Sequence, residues 1–308
     1  MSGESSALRS DGDHGQQSIT LASVLPFVRD RRAVVAGIGA IATLFVALQT
    51  VVSILYNLPF DPVHIPTAIR SGVAVGTAIV LGLALVVVAL LAREATIRVG
   101  LLFAGVFGLL VVVSPAATAP AVVALGGGST LALLGSLGPP ESYQDARQIA
   151  VAVAFLVGIT ASITSMTGIL DSGFREIGAM ATLLALFGLG IRAETDRTAL
   201  IVGTVAALGL IAASMNSPFA LGSALLVTFG IVGVPHLLVA LALSGATAAI
   251  VAGLRRREWS LVVGTTLLLF AGVPVTLPGA LAVLLGATLI LFGFEVNGHI
   301  ASNTEVTA

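Results

Sequence analysis

Cysteine and lysine are both missing from this chain of 308 residues, and charged side chains of any kind are scarce. Without cysteine there can be no disulfide, no thiolate metal site and no cysteine nucleophile. All 14 basic residues are therefore arginines, and together with 15 acidic residues they make up only 9% of the chain. A soluble domain usually carries about a quarter charged residues, so these charges are too few to cover a globular surface.

Apolar residues take the place of the missing charges. They make up 57% of the chain, and the mean hydropathy is +1.09. Apolar runs of about 20 residues match the roughly 30 Å hydrocarbon core of a bilayer. The composition predicts an all-α polytopic integral membrane protein whose partner is the lipid bilayer. A formal net charge of −1 gives no reason to expect nucleic acid as a partner.

Charges, prolines and polar clusters divide the chain into eleven apolar segments, from which we expect about 11 (10–11) transmembrane helices. Several segments have only about sixteen residues and could be tilted or re-entrant, which is tolerated where protein covers the backbone. The segments are 33–55, 71–92, 98–114, 119–137, 148–170, 176–192, 198–215, 218–234, 236–254, 259–274 and 277–294.

A recurring pattern of residues indicates an internal repeat. In each of three stretches an arginine and a glutamate precede a Val-Gly pair, and a proline is followed fifteen positions later by a glycine. The three are Arg93, Glu94, Val99, Gly100, Pro120 and Gly135; Arg192, Glu194, Val202, Gly203, Pro218 and Gly233; and Arg257, Glu258, Val263, Gly264, Pro278 and Gly293.

The repeat predicts four-helix units arranged 4+4+3. Residues 1–32 form a polar N-terminal tail that could include an interfacial helix, and 295–308 form a short C-terminal tail. The membrane units are 33–137, 148–234 and a truncated third unit, 236–294. The third unit lacks its first helix, and we expect it to be inverted.

Arginine placement predicts the orientation, because cytoplasmic loops are enriched in basic residues. Arg29, Arg31 and Arg32 precede the first segment and favour a cytoplasmic N-terminus in the plasma membrane. Eleven crossings then place the C-terminus outside. They also place Arg255–Arg257 outside, against the rule. Either this loop is an exception, or one segment between 198 and 254 fails to cross; the prediction adopted is eleven.

A polar stripe on the fifth segment is the first candidate site. Thr160, Thr164, Thr167 and Asp171 are spaced by four, three and four residues, which places them within about 60° on a helix. The first segment carries a second stripe, made up of Thr43, Thr50, Ser53 and Asn57. Two such stripes could line a pathway for a small polar solute or ion. Alternatively, they are packing residues, since Ser and Thr bond their own i−4 carbonyls and are common between membrane helices.

Other motifs give no chemistry. The histidines His64, His236 and His299 have too few acidic neighbours for a metal site. The glycine run 126–128 is followed by no lysine and does not resemble a phosphate loop. We therefore predict no catalytic residue, no metal, no cofactor and no enzymatic activity.

Three functional classes remain. A membrane-embedded enzyme is the least favoured of them, because no plausible set of acid, base, nucleophile or metal ligands lies at one membrane depth. The preferred one is a non-catalytic component of a membrane complex, acting as a scaffold, assembly or regulatory subunit; other membrane subunits or further copies of the chain would be its partners. The alternative is a secondary transporter or permease whose pathway is lined by the polar faces of segments 33–55 and 148–170.

Overall fold

A computed structural model describes residues 31–58, 65–137, 143–166, 173–192, 197–216, 235–274 and 276–305. These ranges form ten α-helices and one short 3-10 turn at Pro115–Ala117. The helices are α1 Arg31–Asn57, α2 Thr67–Leu91, α3 Ala95–Val113, α4 Thr118–Gly135, α5 Tyr143–Met166, α6 Gly173–Arg192, α7 Arg197–Asn216, α8 His236–Arg256, α9 Trp259–Ala271 and α10 Leu277–Glu305.

The predicted all-α membrane architecture is confirmed. Seven helices in the described ranges, α1 to α6 and α8, are long and apolar enough to cross a membrane. Apolar stretches of α7, α9 and α10 are shorter than eighteen residues. The predicted segment 218–234 lies outside the described residues, so ten helices are observed where eleven were expected, and the 4+4+3 repeat stays a prediction.

Helix α10 is the central element of the bundle. It packs against α1, α2, α3, α4, α5 and α9. Every residue from Ala280 to Leu291 is buried, and all of them are apolar or glycine except Thr288. A helix that is apolar on all sides is buried on all sides, which is the position that α10 occupies.

Glycines bring neighbouring helices into backbone contact. Helices α3 and α4 cross where Gly100 meets Gly128, and α9 and α10 cross where Gly264 meets Gly286. A Cβ atom on Gly128 would lie 2.5 Å from the Gly100 carbonyl oxygen, and one on Gly286 would lie 3.0 Å from the Gly264 carbonyl oxygen. Only a missing side chain permits these approaches, as is usual between membrane helices.

The contacts also give the direction of each helix. Gly39 of α1 lies against Val263 of α9, and farther along both helices the Thr50 hydroxyl bonds the Phe270 carbonyl. Helices α1 and α9 therefore run parallel. In α9 and α10, Gly264 lies against Ile290, so α10 runs the opposite way. Helix α10 ends at the end of the bundle where α1 begins.

That end collects most of the arginines, and we name it the arginine end. Helix α3 also begins there, because Gly108 near its other end meets Leu281 near the start of α10. Helix α4 is antiparallel to α3, and α6 is antiparallel to α5. Since the connections are short, α4 and α6 end at the arginine end, and α5 and α7 begin there. Of the twelve arginines in the described ranges, Arg70 and Arg175 belong to the other end and ten belong to this one. The ten are Arg31, Arg32, Arg93, Arg98, Arg147, Arg192, Arg197, Arg255, Arg256 and Arg257.

This arrangement differs from the expected orientation in three respects. Arg255–Arg257 belong to the arginine end, which favours the alternative that one segment between 198 and 254 fails to cross. Helix α10 ends on the side where α1 begins, whereas opposite sides were expected for the two termini. The α9–α10 hairpin has the same orientation as α3–α4 rather than an inverted one. The predicted crossing 218–234 lies outside the described residues, so the side of the membrane on which each terminus lies stays a prediction.

Candidate functional site

The stripe on α1 is tied into the bundle through Thr50. Its Oγ1 donates to the Val46 carbonyl at 2.9 Å and lies 2.9 Å from the Phe270 carbonyl oxygen of α9. In a continuing helix the Phe270 carbonyl would accept a bond from residue 274, but residue 274 is proline and has no N–H. The Thr50 hydroxyl supplies the donor that the end of α9 lacks.

The other side chains of this stripe bond within α1. Thr43 donates to the Gly39 carbonyl at 2.8 Å, and the Asn57 side-chain amide donates to the Ser53 carbonyl at 2.7 Å. Ser53 is half-buried and Asn57 is exposed at the end of the helix. These bonds satisfy polar groups in an apolar environment and hold the side chains against their own backbone.

The stripe on α5 also bonds its own helix. Thr160 donates to the Leu156 carbonyl at 2.7 Å, and Thr164 donates to the Thr160 carbonyl at 2.7 Å. Val153 and Val157 precede these threonines by seven residues and so lie on the same face. They are 40% and 38% exposed, so this face of α5 borders the outside of the described bundle.

Two predicted members of this stripe cannot be placed. Thr167 and Asp171 lie outside the described residues, which leave α5 at Met166 and resume at Gly173. The role of Asp171 as an outer ionisable group therefore stays a prediction. The described part of the stripe contains hydroxyl groups only.

The two stripes do not line a common space within the described bundle. Helices α1 and α5 share no extended interface there, while both pack against α10. The buried segment Ala280–Leu291 stands between them. Its one hydroxyl, Thr288, bonds the Leu284 and Leu285 carbonyls of its own helix at 2.9 and 2.8 Å.

Two further hydroxyls were missed by the sequence analysis. The Oγ of Ser162 and the Oγ1 of Thr265 are buried and have no hydrogen-bond partner in the part of the chain that the structure describes. Ser162 faces Gly178 at the α5–α6 crossing. An unpaired buried hydroxyl costs about 1–3 kcal/mol, and no sequence signal separates these two residues from the other serines and threonines.

The described ranges contain no group of three or more His, Asp or Glu side chains placed to hold a metal ion. In the two stripes, threonine hydroxyls and the Asn57 amide bond backbone carbonyls. Such groups can satisfy helix ends and pack helices together.

Comparison with known proteins gives one match. The profile of an integral membrane family of unknown function matches residues 33–291, which is most of the chain. Neither the curated proteins nor the solved structures contain a match.

Proposed function

The chain belongs to this integral membrane family of unknown function (DUF8068), and we propose that it is a non-catalytic component of a membrane complex. It acts there as a scaffold, assembly or regulatory subunit and carries out no reaction itself. Other membrane subunits or further copies of the chain are its partners.

The observation that carries this proposal is the packing of α10. A transporter of the alternating-access type places its substrate site near the bilayer midplane, between repeats. At that position this bundle has the buried apolar segment Ala280–Leu291. The hydroxyls of the two stripes bond backbone carbonyls, and Thr50 joins α1 to α9. These features support a packing role for the stripes.

One feature favours the alternative, a secondary transporter or permease for a small polar solute or ion. Helix α9 has 13 residues, about 20 Å, and is followed by the buried non-helical residues Gly272, Val273 and Pro274. Broken helices with buried irregular backbone also occur in transporters. A pathway would have to pass beside α10, along the faces carrying Thr160, Thr164, Thr167 and Asp171 or Thr50, Ser53 and Asn57.

The finer topology is also a proposal. We place the arginine end in the cytoplasm of a cell whose plasma membrane holds the protein, because basic residues are retained on that side. The N-terminal end of α1 and the C-terminal end of α10 are then both cytoplasmic. We also propose that α2–α4 and α8–α10 descend from one repeated unit, since Gly128 and Gly286 each follow their proline by eight residues.

Cysteine accessibility separates the two functions, since the chain has no native cysteine. Thr160→Cys and the control Ile159→Cys lie at almost the same depth but about 100° apart around α5. With the protein in membranes, a membrane-impermeant thiol reagent should label neither variant until the protein is denatured. Selective labelling of Thr160→Cys would show water along the stripe and favour the transporter.

The complex itself is tested by the mass of the particle extracted from the native membrane. A tagged chain, purified in mild detergent, should carry another membrane polypeptide at a fixed stoichiometry that survives a second size separation. A particle containing this chain alone, active in a reconstituted flux assay, would refute the component role.

A further inference from the structure

The face of α9 that looks away from α10 forms the floor of a groove. Gly264 of α9 packs on α10, Val263 lies against Gly39 of α1, and Val262 lies against Gly253 of α8. Helices α1 and α8 therefore flank α9 on either side. The face of α9 left between them carries Trp259, Thr266 and Phe270.

These three side chains form a continuous surface along the helix. Their spacing of seven and four residues places them within about 40° of one another. Trp259 is 57% exposed and Phe270 is 38% exposed, while Thr266 is half-buried and its hydroxyl bonds the Val262 carbonyl at 2.7 Å. The groove therefore offers a largely apolar surface, on which the Thr266 hydroxyl is already bonded to its own helix.

Where the groove reaches the arginine end of the bundle, it is strongly basic. Arg255 and Arg256 form the last turn of α8, and Arg257 follows them as its cap. All three side chains are exposed. Arg31, also exposed, begins the neighbouring helix α1 at the same end of the bundle. Glu258 is the one acidic residue in this loop.

The backbone at Arg257 adds a second observation. Its φ of 59° is the left-handed conformation, which glycine adopts readily and most other residues adopt at a cost. Glycine is also the usual residue at this position after a helix. The chain instead places an arginine there, two residues before the exposed Trp259.

We propose that this groove binds one anionic phospholipid. Its phosphate contacts Arg255, Arg256 and Arg257, and an acyl chain lies over Trp259, Thr266 and Phe270 between α1 and α8. Charge selects the lipid, because arginine forms bidentate bonds with phosphate oxygens, and basic clusters between membrane helices favour anionic headgroups. Tryptophan is suited to the boundary between headgroup and acyl chain.

Trp259 is the only tryptophan of the chain and so reports directly on this site. The full chain is placed in phosphatidylcholine nanodiscs, one copy in each, with increasing fractions of a lipid carrying brominated acyl chains, which quench tryptophan fluorescence. Brominated phosphatidylglycerol should quench at a mole fraction at least about fivefold lower than brominated phosphatidylcholine. Equal quenching by the two lipids would overturn the proposal and leave the groove to a protein partner.

Variants test whether the arginines cause the selectivity. Replacing Arg255, Arg256 and Arg257 together by glutamine should abolish it, with a loss of roughly fivefold for each arginine. Arg93→Gln, a matched change in the α2–α3 loop at the same end, should leave it unchanged. Selectivity that survives the triple substitution would contradict the headgroup assignment.

Arg257→Gly keeps the proposal testable if the triple variant fails to fold. Glycine suits the left-handed conformation, so this variant should be as stable as the parent chain or more stable. Its preference for phosphatidylglycerol should nevertheless fall roughly fivefold. A purely structural role for Arg257 predicts the reverse, with stability changed and lipid preference intact.

Discussion

The hairpins α3–α4 and α9–α10 share a pattern of residues and differ in their surroundings. Both begin and end at the arginine end, follow an Arg-Glu pair and cross at two glycines. Yet α4 turns an apolar face outward, with Val123 73% exposed, whereas α10 is buried from Ala280 to Leu291. Two hairpins of similar sequence pattern therefore take different positions: α4 lies at the periphery of the bundle and α10 at its centre.

The difference shows what fixes the position of a membrane helix. Lipid is as apolar as leucine, so hydrophobicity does not decide which helix is central. Helix α9 ends at Ala271, seven residues after its crossing glycine Gly264. Helix α3 ends at Val113, thirteen residues after its crossing glycine Gly100. The carbonyl of Phe270, in the last turn of α9, accepts a bond from Thr50 of α1. Packing partners and polar satisfaction therefore distinguish the two hairpins.

The largest effect is expected from a cavity in the central hairpin. Leu285→Ala removes a fully buried side chain and should lower the free energy of unfolding by about 3 kcal/mol. Leu131→Ala on the outward face of α4, where the leucine is 44% exposed, should cost under about 1 kcal/mol, because lipid fills the space. Unfolding of the reconstituted protein by denaturant measures both. Equal losses would remove the distinction between centre and periphery.

The glycine crossings should be equally intolerant in the two hairpins. Gly128→Ala and Gly286→Ala each place a Cβ atom against a neighbouring helix and should cost about 2 kcal/mol. Gly127→Ala is the matched control, since a Cβ atom there meets nothing within 4 Å. The same unfolding assay ranks the three, and a loss at Gly127 as large as at Gly128 would contradict the crossing.

A smaller effect on stability should distinguish Thr50, which bonds α9, from Thr43, which bonds its own helix. Thr50→Val removes the donor to the Phe270 carbonyl and should cost about 1 kcal/mol, typical of a hydrogen bond between membrane helices. Thr43→Val removes a hydroxyl that bonds only its own helix in the described contacts and should change stability little. Hydrogen exchange of α9 amides should accelerate in the first variant alone.

The smallest effect concerns the loops at the arginine end. The Arg98 guanidinium donates to the Ala92 carbonyl at 2.8 Å and satisfies the end of α2. The residue of α9 at the corresponding position of the repeat is Val262. Arg98→Gln should cost about 0.5 kcal/mol, since the bond is near the surface. Hydrogen exchange of the amides at the end of α2 would detect this loss of stability. Faster exchange in α8 as well would contradict the view that the α2–α3 and α8–α9 loops are independent.

The sequence predicted the parts of this fold that depend on composition. Run lengths identified the membrane helices. The Val-Gly pairs were identified as part of a repeat, and the structure shows that Gly100 and Gly264 lie at helix crossings. The partner of Thr50 could not be predicted, because Phe270 is 220 residues away and only the folded bundle brings the two together. The central position of α10 was also hidden, since its composition resembles that of α4.

The orientation was predicted from a single count of crossings. Alternation assigns every later loop from that count, so a change of one crossing reverses all loops that follow. The three arginines at 255–257 form the loop that disagrees with a count of eleven. The stripes at Thr160 and Thr50 were predicted from residue spacing, and spacing alone does not tell whether such a face meets water, lipid or a helix.

Sidedness of the two Arg-Glu loops tests the account most directly. Arg93→Cys and Arg257→Cys are each made in the cysteine-free chain, with Thr67→Cys at the start of α2 as the reference for the opposite end. In sealed vesicles an impermeant thiol reagent should label residues 93 and 257 from the same side and residue 67 from the other. Labelling of residues 93 and 257 from opposite sides would contradict the common orientation of the two hairpins and restore the inverted unit.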